Sequence, residues 1–438
     1  MKKTGIYGAL STIGLMAGLA GSAAAQEDTF KIGIITFLSG QAAESFGVPA
    51  LNGGKLLIDM MNKGDALPAP YNTKGFGGLN IEYVVVDEAG GATKQVQEFR
   101  NLVQREEVDA VLGYVSSGDC LAVPPVADEL KAFTILYDCG TPRVFEDGKF
   151  EYVFRTAAHA TMDNISLARY LKSRNFDVPS YAGLNQDYAF GQDSWADFTA
   201  SMKQIYPDAE IKTALFPKFG AGQYGTEISA LLHEKPALVH SSNWGGDLQG
   251  FLIQATARGL DKRSQLVLSA GDHVIPQLQD KMPDGIFLGA RGVNGLAAYA
   301  RGGELKELTD TMWDAYEAEY GVFPVQAPFR MWQALFGLKT AVEKAMADNG
   351  GKKPSDEELV AAMKGLEWDA PSGHIEMALA DGHQAIQPNA IGTTKWNADA
   401  GKMELVDVEY YAARCVNPPE GVLAADWIAQ GFPGAECD

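Results

Sequence analysis

Clusters of basic residues are missing from this 438-residue chain, in which Lys and Arg total 36 against 56 Asp and Glu for a formal charge of -20. A polyanion without a Lys- and Arg-rich run repels phosphate backbones and anionic lipid faces, which excludes nucleic acid as a partner. Motifs of hydrolytic and metal chemistry are missing too. No G-x-S-x-G supplies a nucleophile elbow and no H-E-x-x-H a zinc site; His233-Glu234 runs into Lys235-Pro236, which stops a helix. The 6 histidines are scattered, none at i, i+4 from another, so neither a metal site nor a catalytic centre is expected. Gly220-Ala221-Gly222-Gln223-Tyr224-Gly225 fits the G-x-G-x-x-G spacing after an apolar run. No acid closes a following strand about twenty residues on, so a surface turn is expected and no cofactor.

Cysteine is scarce: Cys120, Cys139, Cys415 and Cys437. None lies at C-x-x-C spacing or beside a histidine, which argues against zinc. An even number in an exported chain points to disulfides, and four cysteines allow three connectivities. The local pairing, Cys120 with Cys139 and Cys415 with Cys437, is the expected one, each closing a loop of about twenty residues and contributing about 3 kcal/mol.

Export is read from the N-terminus. Lys2 and Lys3 precede an apolar stretch from about Ile6 to Ala20, then small residues at Ala23 and Ala25. That stretch is too short to span a bilayer and reads as a signal cleaved between Ala25 and Gln26. No Cys follows the cleavage site, so no lipid anchor is expected there, and no later apolar run is long enough to cross a membrane. A soluble exported protein is expected.

With 46% hydrophobic residues over this length, the chain exceeds one small core and calls for two lobes. Short β-branched runs recur at Lys31–Phe37, Ile81–Val86, Ala110–Leu112, Phe133–Leu136, Ala237–His240, Leu266–Leu268 and Ile286–Leu288. Helical patterns lie between them at Leu51–Asn62, Ala92–Glu107, His159–Ser173, Ser194–Ile205 and Gln249–Gly259. Such alternation predicts βαβ units and parallel sheets flanked by helices. The pattern changes after Tyr320: one long helix over Gln326–Asp348, a second opened by a Ser355/Glu358 capping box, and short antiparallel strands from Gly373 to Tyr411.

In parallel sheets ligands bind beyond the carboxyl ends of the strands, where loops enter helices. Tyr114-Val115-Ser116-Ser117-Gly118 follows one strand, and Tyr137-Asp138-Cys139-Gly140-Thr141 the next. Small hydroxyls and free N–H groups there suit a carboxylate, although Ser116 or Ser117 equally caps a helix. Two further loops carry aromatics: Tyr188 and Phe190 in one, Trp244 in the other. Asp272, next to His273, offers a carboxylate to a ligand cation or caps the following helix.

Leu38-Ser39-Gly40 with Phe46-Gly47, Gly113 with Ser116-Ser117, Thr141, Phe154-Arg155-Thr156, Tyr188–Gly191 and Ala255–Leu260 with Trp244 upstream occur in an order that resembles the type I solute-binding proteins of ABC importers. That group contains the branched-chain amino acid receptors, and the resemblance spans roughly Thr29 to Tyr411. It implies a two-lobed α/β fold with a three-strand hinge, closing on a small molecule that a monomer hands to an inner-membrane permease. The expected division is a leader over 1–25, a first lobe of 26–155 with 285–345, a second of 156–284 with 346–411, and an extension over 412–438. The resemblance assigns Ser117 and Thr141, with Ser116 adjacent, to a ligand carboxylate. It places Phe190 and Trp244 over the ligand from the second lobe and Phe46 from the first. The acid that holds an α-ammonium in such receptors falls near Asp272, with Ala270 or Gly271 at the spot itself. Asp119, Asp138 and the Cys120/Cys139 pair depart from the pattern. A branched-chain or related amino acid ranks first as ligand, then an aromatic or aliphatic carboxylate, then an amide or urea. A sensor of the same fold and an exported enzyme are the rival classes; an enzyme needs a nucleophile beside a base, and none is evident.

Overall fold

The computed structural model describes residues 29–437. The expected leader and its cleavage site lie outside them. Two sheets organise the chain. The first has eight strands in the order β11-β12-β13-β5-β4-β3-β1-β2, and the second seven in the order β15-β14-β10-β9-β8-β6-β7. In the first sheet β1 (Thr29–Thr36), β2 (Asn80–Asp87), β3 (Ala110–Gly113), β4 (Thr134–Leu136) and β5 (Val153–Arg155) run parallel. In the second, β6 (Ser180–Leu184), β7 (Glu210–Leu215), β8 (Leu238–Ser241), β9 (Gln265–Leu268) and β10 (Phe287–Gly289) do the same. Strands buried on both faces read as continuous apolar runs, and β3 and β8 are wholly buried.

The remaining strands are shared between the sheets. β11 (Glu367–Ala370), β12 (Gly373–Leu379) and β13 (Gln384–Ile386) extend the first sheet. β14 (Asn389–Asn397) and β15 (Lys402–Tyr411) form an antiparallel hairpin on the second, beside β10. The chain thus passes between sheets three times: after β5, after β10 and between β13 and β14. Two of the expected boundaries move. Phe287–Gly289 pairs in the second sheet, so the crossing lies after it rather than near 285. Residues 356–386 belong to the first lobe rather than the second, because β13 pairs with β5 and Trp368 Nε1 donates to Gln333 O of the long helix. Both displacements come from long-range pairing, which local pattern does not encode.

The helix Gln326–Asp348 is almost entirely buried and crosses the helix Val48–Lys63. Glycine sets their separation: a Cβ at Gly53 would lie 2.9 Å from Pro328 Cα, and one at Gly54 3.1 Å from Met331 Cγ. Trp332 Nε1 donates to Gly53 O at 2.9 Å across the same contact. Ser355 and Glu358 form the expected capping box.

Both local disulfides are present, Cys120–Cys139 and Cys415–Cys437. Beyond β15 the extension folds into the helices Ala413–Val416 and Ala424–Ala429. Val416, Trp427 and Ile428 bury themselves against Met162 and Ile165 of the helix Ala160–Ser173, which fixes the extension to the second lobe.

Candidate functional site

The hydroxyl loop after β3 is already occupied from within. Glu88, at the end of β2, is wholly buried and accepts from Val115 N at 2.9 Å and Ser116 N at 2.7 Å. Burial, then the neighbouring Asp119, pushes the Glu88 carboxyl well above the usual range, and burial takes Asp119 up to about 6. The two N–H groups expected to cradle a ligand carboxylate therefore serve the protein's own. Ser117 Oγ accepts from Thr141 N at 3.2 Å, and Thr141 Oγ1 donates to Asp193 Oδ2 of the second lobe at 2.6 Å. Ser116, Ser117 and Thr141 thus join loop to loop and lobe to lobe, and none of them lines the cleft between the lobes.

That cleft is lined from the first lobe by Phe46, Val115, Asp138, Gly140 and Gln326, and from the second by Tyr188, Phe190, Trp244 and Ala270. The aromatic positions follow from local structure. Tyr188 and Trp244 each hold extended backbone just ahead of a helix, Ala189–Ile205 and Gly245–Ala257, so their rings leave the loop toward the cleft. Trp244 Nε1 donates to Tyr188 OH at 2.5 Å, and the Phe46 ring stands 5.6 Å from Trp244 in an edge-on pairing. The lobes are closed: the cleft encloses ≈ 10 Å³, about the room of one water. Gln41 Nε2 donates across the mouth to Asp247 Oδ2 at 3.0 Å. The same Asp247 accepts from Gly220 N and Gly222 N, so the G-x-G-x-x-G segment is a turn folded around an internal carboxylate.

Asp272 is buried behind the cleft rather than in its lining. Its Oδ2 accepts from Gln326 N at 2.7 Å at the start of the long helix, and burial pushes its carboxyl up to about 7. The structure therefore brings Phe46, Gly140, Tyr188, Phe190 and Trp244 together and leaves Ser116, Ser117, Thr141 and Asp272 outside the lining.

Arg291 is the residue that sequence reasoning missed. It follows β10 at the second crossing and reaches the cleft floor, with Nη1 donating to Asp138 O at 2.7 Å and Asp138 Oδ1 at 2.9 Å. Its Nε donates to Asp163 Oδ2 at 3.1 Å, and its guanidinium carbon lies 5.1 Å from the Phe190 ring centre. Nη2 has only Ala158 O, at 3.4 Å, which leaves donor capacity toward the cleft. Arg330 donates to Arg291 O and to Gln387 Oε1, and Arg155 Nη1 donates to Thr141 O at 2.6 Å. Burial raises Asp138 and takes Asp163 up to about 6, both against the pull of Arg291. The clue available in the sequence is position alone, a single Arg between Ala290 and Gly292 at a strand end.

Residues 29–402 match the family described as periplasmic binding protein. The chain belongs to that family. As a periplasmic binding protein it has the two parallel-sheet lobes and three crossings described above. Among solved structures it is similar to a solute-binding protein from R. palustris in complex with 4-hydroxybenzoate, at 17% identity, TM-score 0.74, covering 88% of this chain and 98% of that one. A solute-binding protein from Rhodopseudomonas palustris BisB5 in complex with 3,4-dihydroxybenzoic acid gives 23% identity and TM-score 0.72 over 88% and 98%. A leucine-binding protein from Thermotoga maritima gives 18% and 0.69 over 87% and 98%. No curated protein matches the chain in sequence. Among the described residues of this periplasmic binding protein, no helix is long and apolar enough to cross a membrane, and no three His, Cys, Asp or Glu converge as a metal site.

Proposed function

We propose that this protein is the periplasmic solute receptor of an ABC importer and that its solute is a small carboxylate with a planar or branched apolar body, an aromatic acid first. Arg291 carries this reading: a buried guanidinium with a spare Nη2 donor at the floor of a cleft walled by four aromatic side chains. Arginine matches a carboxylate with its fork of donors, and rings cover a flat body. An amino acid needs an acid for its ammonium as well. Asp272 is engaged by Gln326 N, and Asp138, though in the lining, is held by Arg291. Relatives in fold that bind 4-hydroxybenzoate and 3,4-dihydroxybenzoic acid support the class. The mechanism is a population shift: the cleft as it stands has room for about one water, so its walls part to admit the solute, and a solute touching both lobes then favours closure around it and docking on a permease. The role is capture and delivery, with no covalent step.

Thermal unfolding of the mature chain with benzoate, 4-hydroxybenzoate, leucine and urea tests the reading. A solute at a thousandfold excess over its Kd adds about 4 kcal/mol of stability. Stabilisation by the aromatic acids and not by leucine is expected; stabilisation by leucine or urea alone defeats the assignment.

A further inference from the structure

A second cavity, of ≈ 640 Å³, shares no lining residue with the cleft. One wall is first-lobe surface, with Phe145, Phe150 and Leu379; the other is the extension from Pro418 to Leu423. The extension wall carries Pro418, Pro419, Val422 and Leu423, while charged groups, among them Lys149, Glu151, Lys364 and Asp381, stand among the first-lobe rings. At the inner end lie Arg155, the last residue of β5, and His159, which leads into the helix Ala160–Ser173. Arg155 is fully buried, with Nε donating to Gln384 Oε1 at 2.5 Å and Nη1 to Cys139 O and Thr141 O, yet its Nη2 has no partner. His159 is also buried, and its Nδ1 has no partner. A buried guanidinium nitrogen left unpaired costs more than the net worth of the bond it lacks, so a native fold that retains one calls for an explanation.

The acids around the cavity do not provide it. Glu146 Oε1 accepts from Ala424 N at 2.8 Å, Asp128 accepts from the Glu151 and Tyr152 amides, Glu420 accepts from Asp381 N, and Glu151, also in the lining, makes no bond to Arg155. Asp381 itself is paired with Lys364. What remains unsatisfied at the inner end is a donor on a buried cationic group, in the lining of a chamber wide enough for a small organic molecule.

We infer that this chamber is a second ligand site, which takes a small monocarboxylate with its head on Arg155 Nη2 and His159 and its apolar body between Phe145, Phe150 and the Pro418–Leu423 segment. The site stands whatever solute occupies the cleft. One wall belongs to the first lobe and the other is packed on the second through Val416, Trp427 and Ile428, so an occupant touches both lobes.

The test is fluorine NMR of the intact mature protein with 4-(trifluoromethyl)benzoate as probe. Val422 stands 36% exposed at the rim, so Val422→Trp plugs the chamber without removing any of the hydrogen bonds above. Arg155→Lys keeps the charge and loses the fork. The expected result is a saturable bound signal that survives Trp244→Ala, is abolished by Val422→Trp and is weakened at least tenfold by Arg155→Lys. The inference is overturned if no bound signal appears in Trp244→Ala protein at millimolar probe, or if the signal there is indifferent to Val422→Trp. Should Arg155→Lys fail to fold, Val422→Trp alone decides. Loss of cleft binding in Trp244→Ala speaks only to the proposed transport role, so the two readings fail separately.

Discussion

One methyl group added at Gly140 separates folding from lobe closure. A Cβ there would lie 2.5 Å from Phe190 Cε2 and 2.7 Å from Arg291 Nη2, whereas ordinary contact begins at 3.4 Å. The Phe190 ring must therefore retreat by about 0.9 Å for the closed form to persist. Gly140 is not among the positive-φ residues, so alanine brings no backbone strain. Phe190 belongs to the second lobe and Gly140 to the first, so parting the lobes relieves the clash with the ring. Overpacking a tight interior costs about 1–3 kcal/mol; the share set against the Phe190 ring falls on the closed state alone and lowers solute affinity by up to roughly 150-fold, while the share set against Arg291 Nη2 is felt in both states. Calorimetric titration with the acid that best stabilises the wild type measures the loss. Small-angle scattering with saturating solute should show Gly140→Ala less compact than the wild type, and denaturant unfolding should be nearly unchanged. Wild-type affinity with wild-type compaction refutes the argument, because the contact would then not belong to closure. A large fall in stability refutes it too, since Gly140 would then serve the fold of one lobe.

Arg291→Met leaves Asp138 and Asp163 buried without their main partner and should cost about 3–5 kcal/mol in urea unfolding, part of which Asp163→Asn in the same chain restores. A loss under about 1 kcal/mol would mean that this ion cluster is not what holds the second crossing. Stability should also fall as pH rises through neutrality. Asp197 is buried, accepts from Thr161 Oγ1 at 2.6 Å, and has its carboxyl pushed up by burial to about 7. The folded chain keeps that proton where the unfolded chain has released it, so the contribution is complete at acid pH and is lost above 7. Between pH 6 and 8 this one group removes about 1.4 kcal/mol, and Asp197→Asn should flatten the profile by that amount. An unchanged slope in Asp197→Asn would assign the titration elsewhere.

Much of the architecture is legible from local pattern. The β-branched runs at Lys31–Phe37 and Ile81–Val86 coincide with β1 and β2, and the Gln326–Asp348 helix and its capped successor lie where apolar periodicity and Ser355 put them. Strands such as β5, three residues long, carry too little pattern to stand alone, and exposed β7 lacks an apolar run. Lobe membership after β10 depends on which strand pairs with β5, a contact made across more than half the chain. The aromatic side of the cleft is readable because rings in Gly- and Ser-rich loops at strand ends are poorly placed for core. The polar side is not. Glu88 fills the Val115–Ser116 amides from 27 residues upstream, and Arg291 reaches Asp138 across 153. No spacing rule links either pair.

The threefold crossing has a consequence for how the molecule can be made and unmade. Neither sheet is complete in any contiguous stretch: the first lacks β11 to β13 until Ile386 has been synthesised, and the second lacks β14 and β15 until Tyr411. A nascent or truncated chain that stops short of Ile386 lacks strands of both sheets, so no contiguous fragment carries a whole lobe. A protease that nicks an exposed loop of the finished protein likewise frees no intact lobe, because each remains threaded to the other by the strands that finish it.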